Sequence, residues 1–317
     1  MTGLQTAVLV LMGGPDAERE VSLMSGRGVA DALRARDGFP VVARTIDTVT
    51  AGELRAVVDA EGIDVVFPVL HGPWGEGGAL QEVLEESGVA YVGSRPRAAR
   101  LAMDKLATKT LAAAEGVPTP PARQLMPEDV CDLRPPLVLK PVDDGSSIDI
   151  RVCRTVEELA AVRAELHPKR GRLLAERYIA GRELTVGIVG DEALPVVEVV
   201  PADAVEFYDY EAKYEREDTR YIVNPDVPEE IARQCRQHAL TVFRRLGCRH
   251  LARVDFMLDA AGPWLLEINT MPGFTEHSLV PMAAREVGLD LPALCARLVG
   301  LARQPDAVAS LTSPSAS

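Results

Sequence analysis

Apolar and polar residues alternate with two different periods over the first ninety or so residues. The runs AVLVLM, FPVVARTI and DVVFPVL have the length and composition of buried strands, and residues 21–36 and 51–59 between them have helical spacing. Strands that alternate with helices predict a parallel sheet covered by helices, so residues 1–96 are predicted to form an α/β domain. Ligands bind beyond the carboxyl ends of such strands, where the loops MGGPDAEREVS and HGPWGEGG lie.

The pattern changes from residue 97 onward. ARLAMDKLATKTLAAAEG predicts one helix that ends at Gly116, and the strands PLVLK, IRVCR and LLAERYI follow around a helix that begins near Val156. This order predicts a smaller α+β unit over residues 97–180. The strands ELTVGIVG and LPVVEVVP and the helices PEEIARQCRQHALTVFRRLG and LPALCARLVGLARQ then predict a third unit over residues 181–305.

Two stretches have no clear period. Residues 203–228 are polar and irregular, and a loop of that length inside a compact protein is usually functional or disordered. Residues 306–317 are rich in Ser, Ala and Pro and are predicted to form a disordered tail.

The segment RVDFMLDAAGPWLLEIN carries charged and amide side chains within two apolar strands. Its Gly-Pro turn predicts a hairpin. Alternation places Arg253 and Asp255 on one face of the first strand. On the second strand it places Glu267 and Asn269 on one face and Leu266 on the opposite, apolar face. If the polar faces coincide, three oxygen-bearing side chains converge as Mg²⁺ prefers; a solvated hairpin face is the alternative.

Composition excludes several classes of protein. The 317 residues are 47% hydrophobic, which predicts an ordinary globular chain with more than one packed unit. A formal net charge of -13 argues against a nucleic acid or an anionic membrane as partner, so a polyanionic ligand needs local cations. The five cysteines are scattered without a CxxC pair, which predicts reduced thiols in the cytoplasm. No apolar run reaches the roughly 18 residues of a membrane span.

Candidate cations lie at element ends in the central unit. Lys140 ends the strand PLVLK and precedes a loop that contains Ser146, where small residues leave backbone N–H groups open to a phosphate. Lys105 lies in MDKLATK, although a solvated helical lysine is the ordinary interpretation. The P-loop and GxGxxG patterns are absent. Glu176 and Glu183 flank a connector that is either a purine and ribose contact or an ordinary charged loop.

The order of these motifs resembles the D-alanine:D-alanine ligases of the ATP-grasp superfamily. The matching stretches are GGPDAEREVSLMSG, VVFPVLHGPWGEGG, AMDKLATK, LVLKPVDDGSS, FYDYEAKY, RVDFML and LEINTMPGFTEHSLVPMAA. The resemblance implies an ATP-grasp fold that follows an N-terminal parallel-sheet domain. It also implies an ADP-forming ligase that joins two D-alanine molecules through an acyl phosphate, for peptidoglycan synthesis.

The resemblance assigns the nucleotide site position by position. The residues matched to ATP are Lys105, Lys140, Glu176, Glu183 and Lys213. The residues matched to two Mg²⁺ ions, or Mn²⁺, are Asp255, Glu267 and Asn269. The lysines contact the phosphates, whereas the two glutamates contact adenine and ribose.

The resemblance also assigns the D-alanine sites. Those matched residues are Glu18, His71, Ser146, Tyr214, Arg253, Gly273, Ser278 and Leu279. Glu18 receives the ammonium group of the first D-alanine, and Ser146 and Tyr214 form a hydrogen-bonded group beside it. Arg253 and the N–H group of Gly273 donate to the oxyanion. His71 lies near the first substrate, and Ser278 and Leu279 lie near the carboxylate of the second.

Residues 203–228 match the mobile loop of the family, and the tyrosine in EAKY favours an amine over D-lactate as second substrate. The resemblance further implies a cytoplasmic homodimer that joins through its N-terminal domain. Two alternatives stay open. One is an ATP-grasp ligase for a different pair of amino or hydroxy acids, and the other is a nucleotide-binding regulator without turnover.

Two positions depart from the family pattern. Gly77 stands where the family usually has an acidic residue, and Asp149 stands where it usually has glycine. Aspartate tolerates left-handed backbone better than most residues. We therefore expect the loop to form with the Asp149 side chain directed to solvent, away from the phosphates.

Overall fold

The computed structural model describes residues 5–145, 149–201, 219–275 and 277–304. The N-terminal sheet is parallel and has the order β2-β1-β3-β4. Its strands are β1 (Val8–Gly13), β2 (Val41–Ile46), β3 (Val65–Pro68) and β4 (Ala90–Tyr91). The helices of this part are α1 (Arg19–Arg34), α2 (Ala51–Glu61), α3 (Gly72–Glu76) and α4 (Ala79–Ser87). The predicted α/β character of this part is confirmed.

The central sheet is antiparallel and has the order β5-β8-β6-β7. Its strands are β5 (Ala122–Leu125), β6 (Leu137–Pro141), β7 (Arg151–Cys153) and β8 (Leu173–Arg177). Helix α7 (Val156–Arg170) begins after Thr155, whose hydroxyl accepts the Glu158 N–H at 3.1 Å. Leu159 and Leu166 of α7 are buried in the same apolar cluster as Leu139 and Leu173 of the sheet.

The C-terminal sheet is antiparallel and has the order β11-β10-β9-β12-β13. Its strands are β9 (Arg182–Val189), β10 (Glu192–Val200), β11 (Arg220–Val223), β12 (Leu251–Asp259) and β13 (Gly262–Asn269). The helices after β11 are α8 (Glu229–Leu246), α9 (Leu279–Glu286) and α10 (Leu291–Ala302). The prediction of a continuous loop over residues 203–228 is wrong at β11, which pairs with β10 at the sheet edge.

The single helix predicted around residues 99–116 consists of α5 (Pro96–Met103) and α6 (Lys105–Ala114). The chain turns at Asp104, whose backbone is extended with φ -78° and ψ 101°. The Asp104 carboxylate accepts the Ala107 N–H at 2.9 Å and so begins the second helix. Both helices pack with the C-terminal sheet, because Ala102 and Ala112 share a core cluster with Phe256 of β12.

The largest apolar cluster joins the two ends of the chain. It contains Val10 and Phe67 of the N-terminal sheet together with Phe274 and Leu298 from the C-terminal part. The rings of Phe67 and Phe274 meet edge to face, with centroids 5.3 Å apart. This contact holds the segment after β13 against the carboxyl end of β3. Among the described helices, none combines the length and apolar character that a membrane span requires.

A buried ion-pair triad of Lys109, Glu176 and Lys140 joins α6 to the central sheet. Glu176 of β8 lies between the two ammonium groups, 2.7 Å from Lys109 Nζ and 2.5 Å from Lys140 Nζ. Lys109 also donates to Thr119 Oγ1 at 2.9 Å. The side chains are 3%, 3% and 5% exposed, so the three charges depend on each other rather than on water.

The pKa shifts in this triad follow from burial and charge. Burial lowers the pKa of Lys109 to about 8, against the opposing attraction of the Glu176 carboxylate. Burial alone raises the pKa of Glu176, but the two ammonium groups outweigh it and hold that pKa below its usual range. The Glu176 and Glu267 carboxylates likewise outweigh burial and raise the pKa of Lys140. The carboxylate at the centre is therefore the member on which the other two rely.

We predict that Glu176→Gln destabilises the fold by about 3–5 kcal/mol, because two buried ammonium groups then lose their shared counter-ion. Lys109→Met is expected to cost less, since the pair of Glu176 and Lys140 remains. Lys109→Met added to Glu176→Gln should restore part of the loss. Urea unfolding of the four proteins measures these differences. Equal unfolding free energies for wild type and Glu176→Gln would show that the triad does not stabilise the fold.

Candidate active site

The β12–β13 hairpin pairs the predicted polar residues directly. Asp255 lies opposite Glu267, and Arg253 lies opposite Asn269. The register shifts between Asp255 and Phe256, which pairs with Leu265. A bulge adds one residue to one strand and so reverses the side-chain alternation beyond it.

Because of the bulge, Leu266 lies on the opposite face of the second strand from the one predicted. Leu265 is fully buried in the core cluster that also holds Val254 and Ile268. Leu266 instead lines a cavity between the central and C-terminal sheets, beside Glu267. The expectation that Leu266 lies on the core side is therefore wrong, and the cavity gains an apolar wall next to the acidic residues.

Asp255 is held by three hydrogen bonds. Arg253 donates to both of its oxygens, from Nε at 2.9 Å and from Nη2 at 2.7 Å. Thr185 of β9, its register partner on the other side, donates from its hydroxyl at 2.6 Å. Arg253 and Asp255 are both buried, so the position and charge of each depend on the other.

Lys105 connects the hairpin to the end of the central sheet. Its backbone N–H donates to the Val142 carbonyl at 3.0 Å, so α6 begins against the residue that follows β6. Its Nζ donates to the Asp144 carbonyl and lies 3.5 Å from Glu267 Oε2. A buried cation therefore sits between the segment after β6 and the acidic face of β13.

Most residues matched to ATP and metal line one cavity of about 260 Å³ between the two antiparallel sheets. Those residues are Lys140, Glu176, Glu183, Asp255 and Glu267. Arg253 and Leu279, which are matched to the D-alanine sites, line the same cavity. A smaller adjoining cavity is lined by Glu76, Lys105, Asp144, Gly145, Glu267 and Asn269, among others. Glu267 lines both, so the acidic pair lies where the two cavities meet.

The N-terminal domain closes the other side of the site. His71 Nδ1 lies 2.9 Å from the Met271 carbonyl, and both residues are buried. Glu18 is also buried, and a Cβ added to Gly145 would lie 3.1 Å from its Oε2. The loop after β6 thus approaches the carboxylate of Glu18 closely.

Glu76 is a further buried carboxyl on this side. It accepts the Met271 N–H at 3.2 Å and the Gly72 N–H at 3.4 Å. Burial and then the nearby charge of Glu18 raise the pKa of Glu76 to about 8. Glu76 is therefore protonated at neutral pH.

The turn after β13 is fixed by two serines. Ser25 of α1 accepts the Phe274 N–H at 3.1 Å, and Ser278 accepts the Thr275 N–H at 3.0 Å. A Cβ on Gly273 would lie 2.9 Å from Ser278 Oγ, so only glycine fits without a shift of that serine. This packing places Gly273 and Ser278 side by side.

The two departures from the family pattern have structural explanations. Asp149 adopts the left-handed backbone expected of it, with φ 59°. Its side chain is only 17% exposed and accepts from Arg170 Nε at 2.6 Å, so the expectation that it points to solvent is wrong. Gly77 N–H donates to the Pro73 carbonyl at 3.1 Å, and a Cβ there would lie 2.3 Å from that oxygen. A side chain at Gly77 therefore requires a different turn.

Ser146, Lys213 and Tyr214 lie outside the described residues. The structure adds four residues that the sequence did not single out, which are Ser25, Glu76, Lys109 and Thr185. Glu76 and Lys109 stand within the quoted stretches HGPWGEGG and AMDKLATK, so a signal was available for both. Ser25 likewise stands within the quoted stretch GGPDAEREVSLMSG, whereas Thr185 acts through a contact with a distant part of the chain, which carries no local signal.

Comparison with known proteins agrees with this arrangement. A family model described as D-ala D-ala ligase C-terminus matches residues 119–300, and one described as D-ala D-ala ligase N-terminus matches residues 46–94. The D-alanine–D-alanine ligase of Alkalilimnicola ehrlichii is 45% identical, over 95% of this chain and 96% of its own. The D-alanine–D-alanine ligase B of Chromobacterium violaceum is 42% identical, over 92% and 96%.

Solved structures give the same result. The D-alanine–D-alanine ligase of Bacillus anthracis complexed with ATP has a TM-score of 0.81 and 27% identity, over 94% of this chain and 97% of its own. The ligase of Coxiella burnetii has a TM-score of 0.80 and 27% identity, over 94% of each chain. These matches confirm the predicted ATP-grasp fold with an N-terminal parallel-sheet domain, and the chain belongs to the D-alanine–D-alanine ligase family.

Proposed function

We propose that the protein is an ADP-forming D-alanine–D-alanine ligase, which uses ATP to make D-alanyl-D-alanine for peptidoglycan precursors. The observation that carries this proposal is the site at the β12–β13 hairpin. Asp255 and Glu267 pair across the strands, and the buried cations Lys105, Lys140 and Arg253 surround them. Acidic residues ringed by cations suit a triphosphate with its metal ions, although the chain as a whole is strongly acidic.

The donor set fits Mg²⁺. Asp255, Glu267 and Asn269 offer hard oxygens from register positions that face each other or lie two residues apart. Within the described part of the chain, no group of three His, Cys, Asp or Glu residues forms a metal site by itself. Two carboxylates and one amide leave coordination positions for phosphate oxygens and water, which is the usual mode for nucleotide-bound Mg²⁺. When bound, Mg²⁺ supplies positive charge that offsets the charge of the phosphates.

Phosphoryl transfer to the carboxylate of the first D-alanine needs positioning and charge neutralisation. Lys140 lies in the large cavity and is fixed by Glu176, so its ammonium group is preorganised for the phosphates. Lys105 is fixed by Asp144 on one side and Glu267 on the other. Charges that are already oriented need no reorganisation during the reaction. We assign both lysines to the phosphates.

In the second step, the neutral amine of the second D-alanine attacks the carbonyl carbon of the acyl phosphate, which places negative charge on the carbonyl oxygen. The bond from that carbon to the phosphate oxygen then breaks, inorganic phosphate leaves, and the nitrogen loses a proton. Arg253 is a permanent cation whose guanidinium is held by Asp255. Gly273, in the turn after β13, offers a backbone N–H and lies beside Ser278. We propose that these donors stabilise the oxyanion and that Ser278 receives the carboxylate of the second substrate.

The first D-alanine binds beside Glu18. Since Glu76 is protonated at neutral pH, it does not add a second negative charge next to Glu18. Its hydrogen bond from Met271, together with the contact of His71 to the same residue, aligns the turn that leads to Gly273. We assign Glu18 to the ammonium group and Glu76 to the alignment of this turn.

The function is tested with purified protein, ATP and Mg²⁺ against a panel of D- and L-amino acids and D-lactate. Phosphate release and mass spectrometry of the products identify the reaction. We expect D-alanyl-D-alanine from D-alanine alone. Activity only with another pair would indicate a different ATP-grasp ligase, and nucleotide binding without phosphate release would indicate a regulator.

Arg253→Ala is predicted to reduce kcat about a hundredfold or more, the usual loss when one oxyanion donor is removed. Because Asp255 also loses its partner, KM for ATP should be measured separately from kcat. Arg253→Lys keeps the charge but loses the bidentate geometry, so an intermediate kcat is expected. Turnover close to wild type in Arg253→Ala would remove this residue from the mechanism.

Glu76→Gln is predicted to stabilise the protein increasingly as pH rises. Native Glu76 retains its proton up to about pH 8, whereas the unfolded chain releases it near 4.5, so wild-type stability falls across this window. The variant has no such loss, and its advantage should grow by roughly 1 kcal/mol per pH unit within the window. Urea unfolding at a series of pH values measures this, with Glu86→Gln as the exposed control for the change of one charge. A constant difference at all pH values would refute the assignment.

A further inference from the structure

Arg170, the last residue of α7, contacts both ends of the loop that follows β6. Its Nη1 lies 2.7 Å from Asp144 Oδ2, and its Nε lies 2.6 Å from Asp149 Oδ2. The three side chains are 30%, 15% and 17% exposed, so this is a partly buried cluster rather than a surface pair. One guanidinium therefore joins the residues before and after the segment 146–148.

Asp144 is tied into the site on two further sides. Its carbonyl accepts from Lys105 Nζ, the cation that also lies 3.5 Å from Glu267. Its carboxylate also accepts the Gly145 N–H at 2.8 Å. Asp144 and Gly145 line the smaller cavity together with Asn269. A change in the position of Asp144 is thus transmitted to Lys105 and to the acidic face of β13.

Asp149 holds an unusual backbone conformation. Its φ of 59° is one that residues other than glycine rarely adopt. Asparagine and aspartate are the residues that tolerate it best, and here the carboxylate has a charged partner. The contact with Arg170 therefore stabilises this backbone conformation and also neutralises the negative charge of the Asp149 carboxylate.

The two ends of this loop carry three carboxylates, whose negative charge would repel a phosphate if no cation neutralised it. Asp143 and Asp144 precede the segment 146–148, and Asp149 follows it. Arg172 contacts Asp143 at 2.8 Å, whereas Arg170 contacts the other two. Without Arg170, the carboxylates of Asp144 and Asp149 would lose their cationic partner and would oppose the approach of a triphosphate.

We propose that Arg170 is a positioning residue for ATP. Arg170 fixes the side chains of Asp144 and Asp149 and neutralises the negative charge that they would present to the phosphates. This proposal rests on the ATP site proposed above. Arg170 does not contact the reacting atoms; it acts through the two aspartates. It also explains how this chain accommodates aspartate at the position where the family usually has glycine.

Arg170→Met is expected to raise KM for ATP about tenfold, the effect of losing one charge-assisted hydrogen bond, with kcat and KM for D-alanine within about threefold. Asp149→Gly removes one of the two carboxylates that Arg170→Met leaves uncompensated and relieves the backbone, so adding it to Arg170→Met should lower KM for ATP by about threefold, part of the way to the wild-type value. Asp149→Gly alone should change that KM by less than about threefold, and Arg170→Lys should lie between wild type and Arg170→Met.

Lys169→Met is the matched control, because it removes one cation from the adjacent position of α7, where Lys169 pairs only with Glu165 among the described residues. It should leave KM for ATP unchanged. Thermal unfolding of every variant establishes that the protein is folded in the assay. An unchanged KM in Arg170→Met, or a raised KM that Asp149→Gly does not lower, would overturn the proposal. Lys140→Met tests the ATP site independently: if it leaves KM for ATP unchanged, the proposed ATP site fails whatever Arg170 does.

Discussion

The rest of the site depends on the two buried ion pairs of the Glu176 carboxylate. This carboxylate lies at the centre of a triad that unites α6, which packs on the C-terminal sheet, with strands β6 and β8 of the central sheet. Because the cavity lies between these two sheets, the same contact that joins them sets the position of Lys140 in the cavity. A buried charge network of this kind is costly to break, since loss of one member leaves another charge without a partner.

A second constraint is that side chains of the site hold the acidic residues in fixed positions. Asp255 is held by Arg253 and Thr185, and Glu267 lies near Lys105. Both acidic residues proposed as metal ligands therefore have a cationic or hydroxyl neighbour that limits their rotamers. A ligand that is oriented in advance loses less conformational entropy when a metal or a nucleotide binds.

Much of the fold could be predicted from hydrophobic periodicity, because strands and helices with a single buried face leave a clear pattern. The parallel N-terminal sheet and the hairpin of residues 253–269 were found in this way. The predictions are wrong where the local sequence pattern carries no signal. The break at Asp104 divides one continuous helical pattern, β11 is short and lies at a sheet edge, and the bulge at Leu266 adds a residue without changing the composition.

The site was predicted less completely, for related reasons. A lysine such as Lys109 at helical spacing is normally solvated, and only the tertiary structure shows that it is 3% exposed. The pairing of Asp149 with Arg170 depends on the return of α7 to the loop after β6, a contact between residues 21 positions apart. The homodimer implied by the resemblance stays a prediction.

The bulge in β13 has a geometric consequence for the shape of the cavity. On its N-terminal side the strand presents Trp264 to Arg177, whose guanidinium carbon lies 4.7 Å from the ring centroid, while Leu265 enters the core. On its C-terminal side Glu267 lines the cavity beside Leu266. An apolar and an acidic side chain that are adjacent in sequence can thus face the same space, which unbroken alternation forbids. One inserted residue therefore allows a single strand to offer apolar and anionic surfaces only about 3.3 Å apart along its axis.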